Sequence, residues 1–101
     1  MAIHELKDLK MTVSGESIDF VHGALLESEM EGNVLYDLTL KNVVQYKLFY
    51  DNLQEKEPVQ ITFTTINDQT AHAEMEIRAV NRRDADNNVI ELSTRDKIEF
   101  S

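Results

Sequence analysis

A period of two runs through most of this chain and restricts its fold more than any other feature. Val59, Ile61 and Phe63 alternate with Gln60, Thr62 and Thr64, and Ala71, Ala73, Met75, Ile77 and Ala79 alternate with His72, Glu74, Glu76 and Arg78. Successive side chains of a strand point to opposite faces, so these runs predict strands with one buried face, here the odd positions. The turn-prone Asn67-Asp68-Gln69-Thr70 separates them. The two apolar faces coincide only if odd residues stand opposite odd ones, which requires an odd number of loop residues. A three-residue loop at Asn67 to Gln69 pairs Thr65 with Ala71, Phe63 with Ala73 and Ile61 with Met75, whereas a slip of one residue sets Phe63 against Glu74.

The same test predicts a second hairpin closed by Glu31-Gly32-Asn33, with Met30 opposite Val34, Ser28 opposite Tyr36 and Leu26 opposite Leu38. Beyond it Val34, Tyr36, Leu38, Leu40, Val44, Tyr46, Leu48 and Tyr50 keep even parity, with only Asn42 interrupting. Their β-branched and aromatic content predicts one bent strand or two strands sharing a corner. The alternative over residues 42 to 56 is a helix, with Asn42 as N-cap, Gln45 as its capping-box partner, and Val43, Tyr46, Tyr50 and Leu53 at helical spacing. Leu9, Met11 and Val13 predict a short first strand before Ser14-Gly15-Glu16, with Ile18 and Phe20 opening the next. Ile90, Leu92, Ile98 and Phe100 share even parity after the polar turn Arg83 to Asn88, with Arg95-Asp96 a bulge or bend. The expected fold is all-β, with one short helix as the variant, in a single domain over residues 1–101: a small antiparallel barrel or sandwich of meander type with about six strands.

Composition narrows the chemistry. The chain has 101 residues, no cysteine, three glycines and one proline. That removes disulfide scaffolds, thiolate zinc sites, thiol nucleophiles and glycine-rich phosphate cradles. Lys and Arg number 10 against 19 Asp and Glu, a net charge of −9. This opposes nucleic-acid binding through phosphate contacts and favours basic partners. The charged start of the chain and the lack of any apolar run of about 20 residues imply no signal peptide and no membrane span, so the expected location is the cytoplasm, with a virion also compatible. The strand rhythm from Pro58 to Phe100 is similar to that of the later strands of small bacterial barrels, cyclic-dinucleotide-binding ones among them. Their Asp/Asn-x-Ser-x-x-Gly motif is missing, and none of their activity is carried over.

Three side-chain sets invite a chemical reading. His72, Glu74 and Glu76 share a strand face from which a metal could take ligands, but the face continues through Arg78 and lies opposite Thr64, Thr62 and Gln60 in the expected register, so a solvated polar surface is the stronger reading. Asp84, Asp86 and Asn88 recur at alternate positions as in a calcium loop, yet Val89 stands where such a loop needs Gly and Arg95 where it needs Glu, so an Asx-rich turn is expected. No metal or other cofactor is expected. The third set is the acid segregated from Met11 to Leu40, where six carboxylates meet no Lys or Arg. Glu27, Glu29 and Glu31 lie on one strand face, and the expected register sets Glu27 opposite Asp37, a repulsion that a basic partner would relieve.

Arg78, Arg82 and Arg83 form the one basic cluster. With no catalytic motif, the expectation is a non-enzymatic protein-interaction domain, a self-assembling structural subunit of the kind found in virion tails or similar arrays. In it the basic rim of one copy meets the acidic face (Glu27, Glu29, Glu31, Asp37) of the next, with no direct nucleic-acid or membrane contact. The alternatives are an acidic decoy for a basic nucleic-acid-binding surface and a small-ligand barrel.

Overall fold

The alternating runs become strands that close on one another. The computed structural model describes residues 2–84 and 87–101. Their strands are β1 (Ala2–Met11), β2 (His22–Met30), β3 (Asn33–Lys41), β4 (Val59–Thr65), β5 (Thr70–Asp84) and β6 (Asn87–Thr94), with one helix, α1 (Tyr46–Glu55), between β3 and β4. All neighbours are antiparallel, in the closed order β1-β2-β3-β6-β5-β4. The fold is thus all-β with one short helix. Its meander runs in two three-stranded halves joined through α1 and zipped together along β3–β6 and β1–β4.

β1 is longer than expected because it serves two neighbours. Ala2 to Glu5 pair with β2 and Leu6 to Met11 with β4, and a bulge at Lys7 keeps both Leu6 and Leu9 on the buried side. Ile18 and Phe20 do not open a strand: Ile18 is buried, but the segment before His22 is a loop tied to β1 by a single Lys10–Ser17 bridge. The barrel interior is filled by side chains, with Leu25, Leu38, Leu40, Ile61, Phe63, Met75, Ile90 and Leu92 all buried. Gly23 belongs to this packing, since a Cβ there would meet Leu40 and Phe20 carbons at 3.0 Å.

Three registers differ from expectation, each for a local reason. In the β4–β5 hairpin, odd residues do face odd ones, but Ile61 pairs with Ala73 and Phe63 with Ala71. The loop is centred one residue earlier, because the Thr65 N–H donates to the Gln69 carbonyl at 2.8 Å and Asp68 takes the left-handed φ of 63° that closes the turn. In the β2–β3 hairpin, Met30 pairs with Asn33 and not with Val34. Glu31 (φ 54°) and Gly32 (φ 83°) form a two-residue turn with both φ positive, the type whose twist suits a hairpin. Leu25 therefore faces Leu38, Glu27 faces Tyr36, and Asp37 faces Leu26. In β5 a bulge between Ile77 and Ala79 reverses the parity: Ala79 stands opposite Glu91, and Val80 opposite the buried Ile90.

Residues 46–55 are helical where the parity of residues 34–50 predicted strand. β4 covers β5 only as far as Met75, and α1 packs along the part of β5 beyond it. The apolar residues Tyr46, Phe49 and Leu53 recur at helical spacing, and Phe49 is fully buried. Asn42 is not the N-cap; with φ 57° it turns the chain out of β3, and the helix starts after Gln45. Lys56 ends it in a left-handed cap with its N–H on the Leu53 carbonyl, the Glu57 N–H reaches the Asn52 carbonyl at 2.9 Å, and Pro58 follows. Among the described residues no helix is long and apolar enough to cross a membrane.

Candidate functional site

The register decides what the two charged regions can do. β3 and β6 are antiparallel, with Tyr36 opposite Thr94 and Lys41 opposite Val89, so the start of β3 and the start of β6 lie at opposite ends of the barrel. The first carries Glu29, Met30 and Glu31, all exposed. Beside the second, at the end of β5, stand Arg82, Arg83 and Asp84, also exposed. An acidic hairpin tip thus marks one pole of the molecule, and the two arginines approach the other, where Asp84 and Asp86 follow them in sequence.

The four carboxylates of the expected acidic face do not all share a side. Glu27 and Glu29 have the inward parity of Leu25 at the mouth of the barrel, Glu31 occupies the turn, and Asp37 points to the other face beside Leu26. The expected Glu27–Asp37 repulsion is absent. Glu27 instead lies 3.7 Å from His4 Nε2, a buried nitrogen that has no hydrogen-bond partner among the described residues. The His4 ring packs against Phe100 at 4.8 Å between centroids.

The arginines are also divided. Arg78, at the β5 bulge, lies 3.7 Å from the Glu76 carboxylate, while Arg82 has its guanidinium 4.6 Å from the centroid of the Tyr46 ring on α1. Arg82, Tyr46, Lys47, Tyr50 and Val80 line a groove of about 570 Å³ between α1 and β5. Tyr50 is 47% exposed there. This groove was not legible in the sequence, because reading residues 44–50 as a strand sets Tyr46 and Tyr50 four positions apart along an extended chain. Helical i, i+4 spacing, which brings them onto one face, was the available signal.

Of the polar strand face at His72, the structure makes something other than a metal site. Among the described residues no three His, Asp or Glu side chains come together to hold a metal ion. His72 Nδ1 is 2.8 Å from Thr62 Oγ1, which is 2.9 Å from Thr12 Oγ1. A hydroxyl beside an imidazole resembles a nucleophile and its base, but Thr62 is only 7% exposed and sits between both partners. The chain Thr12–Thr62–His72 ties the end of β1 to β4 and β5.

Of the candidate calcium turn, Ala85 and Asp86 lie outside the described residues. Asn88 is buried, and its side chain is spent on the backbone. The Val43 N–H donates to Asn88 Oδ1 and Asn88 Nδ2 donates to the Val43 carbonyl, both at 2.9 Å. Reciprocally, the Asn42 N–H donates to the Asn88 carbonyl at 2.8 Å, and the Asn88 N–H to Asn42 Oδ1 at 3.2 Å. Set against models of protein families, curated proteins and solved structures, the chain matches none.

Proposed function

We propose that this protein is a non-enzymatic interaction domain that assembles with copies of itself head to tail, as a structural subunit of an array. The observation that carries this reading is the placement of the acidic tip at Glu29 and Glu31 at one end of the barrel, and of the cations Lys47, Arg82 and Arg83 toward the other. Contacts between unlike ends are heterologous and propagate into rings or filaments. The net charge of −9 repels copies in most orientations and leaves the acid-to-base approach as the favourable one. The sheet closes into a barrel, and the contacts in this reading are between hairpin ends. A cytoplasmic or virion location belongs to this reading.

The decoy alternative needs Glu27, Glu29, Glu31 and Asp37 presented together, and the register parts Asp37 from the others. The small-ligand alternative needs an internal cavity where Leu25, Leu38, Ile61 and Phe63 pack.

Absolute mass by light scattering after size exclusion, over a range of protein concentration and at low and high salt, tests the proposal. Discrete rings or growing polymers that dissolve with salt, and that are lost in an Arg82→Glu/Arg83→Glu variant with unchanged far-UV dichroism, are expected. A monomer at every concentration and salt would overturn it.

A further inference from the structure

Of the large apolar side chains exposed among the described residues, Ile3, Val13, Val21, Met30, Val44, Tyr50 and Ile66, only Met30 is flanked in sequence by carboxylates on both sides. It is 78% exposed and closes the β2–β3 hairpin opposite Asn33, next to a turn held by two positive φ values. A fixed apolar knob is thus set in an acidic collar of Glu29 and Glu31. At the other pole the groove between α1 and β5 has the converse design. Tyr46, Tyr50 and Val80 supply an apolar and aromatic lining, and Lys47 and Arg82 stand among them, one on each side.

We propose that this groove receives the Met30 tip of a second copy of this chain, which makes it the docking site that fixes orientation in the assembly. The inference rests on the head-to-tail reading above and names the contact within it. Charge complementarity selects the occupant: carboxylates on each side of the knob meet cations on each side of the groove. A thioether is soft, unbranched and favourable against aromatic rings, so Met30 suits a cleft bounded by two tyrosines. Arg82 is already held over the Tyr46 ring, so its charge is positioned before the partner arrives and less ordering is lost on binding.

The absence of cysteine makes the test direct. Single-cysteine variants Met30→Cys and Tyr50→Cys are mixed, oxidised and read by intact mass, with Met30→Cys mixed with Val13→Cys as the control pair. The Met30→Cys/Tyr50→Cys mixed disulfide is expected in clear excess over the control pair, and equal yields would overturn the inference. In parallel, Met30→Ser, which changes a side chain already exposed and leaves the core intact, should raise the concentration needed for assembly by about tenfold or more. Wild-type assembly that Met30→Ser leaves unchanged removes the knob while leaving self-assembly standing. A wild-type chain that never assembles removes both.

Discussion

The two ends of the barrel are closed by different means, and the contrast separates what the molecule holds rigid from what it can release. At one end α1 packs along β5 and against β6. Phe49 is fully buried, Val43 and Asn88 are nearly so, and four hydrogen bonds join residues 42 and 43 to Asn88. At the other end an extended tail, residues 95–101, does the work. Ile98 is buried and its N–H donates to Tyr36 Oη at 3.3 Å, while Ser101 exchanges backbone hydrogen bonds with Thr70 at 3.0 and 3.1 Å. A helix satisfies its own backbone and brings a large side chain to the core. A tail must borrow partners from the strands it crosses, and here it leaves His4 Nε2 without one. The end closed by an extended segment, which lacks a helix's own backbone bonds, should open first. That end also carries the acidic tip, whereas the groove at the other pole is built on the firmer closure.

Phe49→Ala should have the largest effect. It empties the plug of a packed interior and should cost about 3–5 kcal/mol, read as a lower urea midpoint. A loss under about 1 kcal/mol would mean that the helix rests on the barrel without closing it. Asn88→Ala comes next. It leaves the Val43 N–H and carbonyl without their partners in a buried position, at an expected cost of about 2–3 kcal/mol. Asn88→Asp sharpens the point: ionised, it keeps the acceptor for Val43 N–H and loses the donor, whereas protonated, its O–H can donate to the Val43 carbonyl, so part of that loss should be recovered at a pH where the carboxyl is protonated.

These two positions also show what could be read in advance. The alternation of Val59 to Ala79 made the paired apolar faces legible, since parity is a property of the side chains alone. Register is set by backbone torsions in the turns, and Glu31-Gly32 is not the Asn-Gly pair that signals a two-residue hairpin. The Arg78 bulge leaves no mark in composition, yet it moves Val80 to the core side and Arg82 toward α1. The helix was hidden because Tyr46 and Tyr50 fit a period of two as well as a helical face, and only the burial of Phe49 against the barrel decides between them. The two charged poles were visible as segregated charge. Their placement at opposite ends needed the β3–β6 pairing, which no local pattern encodes.

Tyr36→Phe is the matched test at the tail end. It deletes a single hydroxyl and leaves the Ile98 N–H unpartnered, for an expected loss of about 1 kcal/mol. Hydrogen exchange discriminates better than global stability. The amides of Ile98, Thr70 and Ser101 should exchange faster in this variant while that of Val43 does not change. Equal acceleration at both ends would show that the barrel opens as one unit and would erase the contrast.

The smallest effect belongs to Lys7, the bulge residue of β1, whose ammonium pairs with Asp68 in the β4–β5 turn. The hydrogen bond and charge of Asp68 hold the Lys7 pKa above its usual 10.5. A raised folded pKa stabilises the fold fully below 10.5, and that contribution fades as the pH rises through the higher folded value. Both side chains are solvent-exposed, so water and salt screen the pair. Lys7→Met should therefore unfold at nearly the wild-type urea midpoint at pH 7. Any difference should shrink in high salt and vanish at strongly alkaline pH. A large loss at neutral pH would mean that the bulge, which lets β1 serve both neighbours, depends on this ion pair and not on the burial of Leu6 and Leu9 on either side of it.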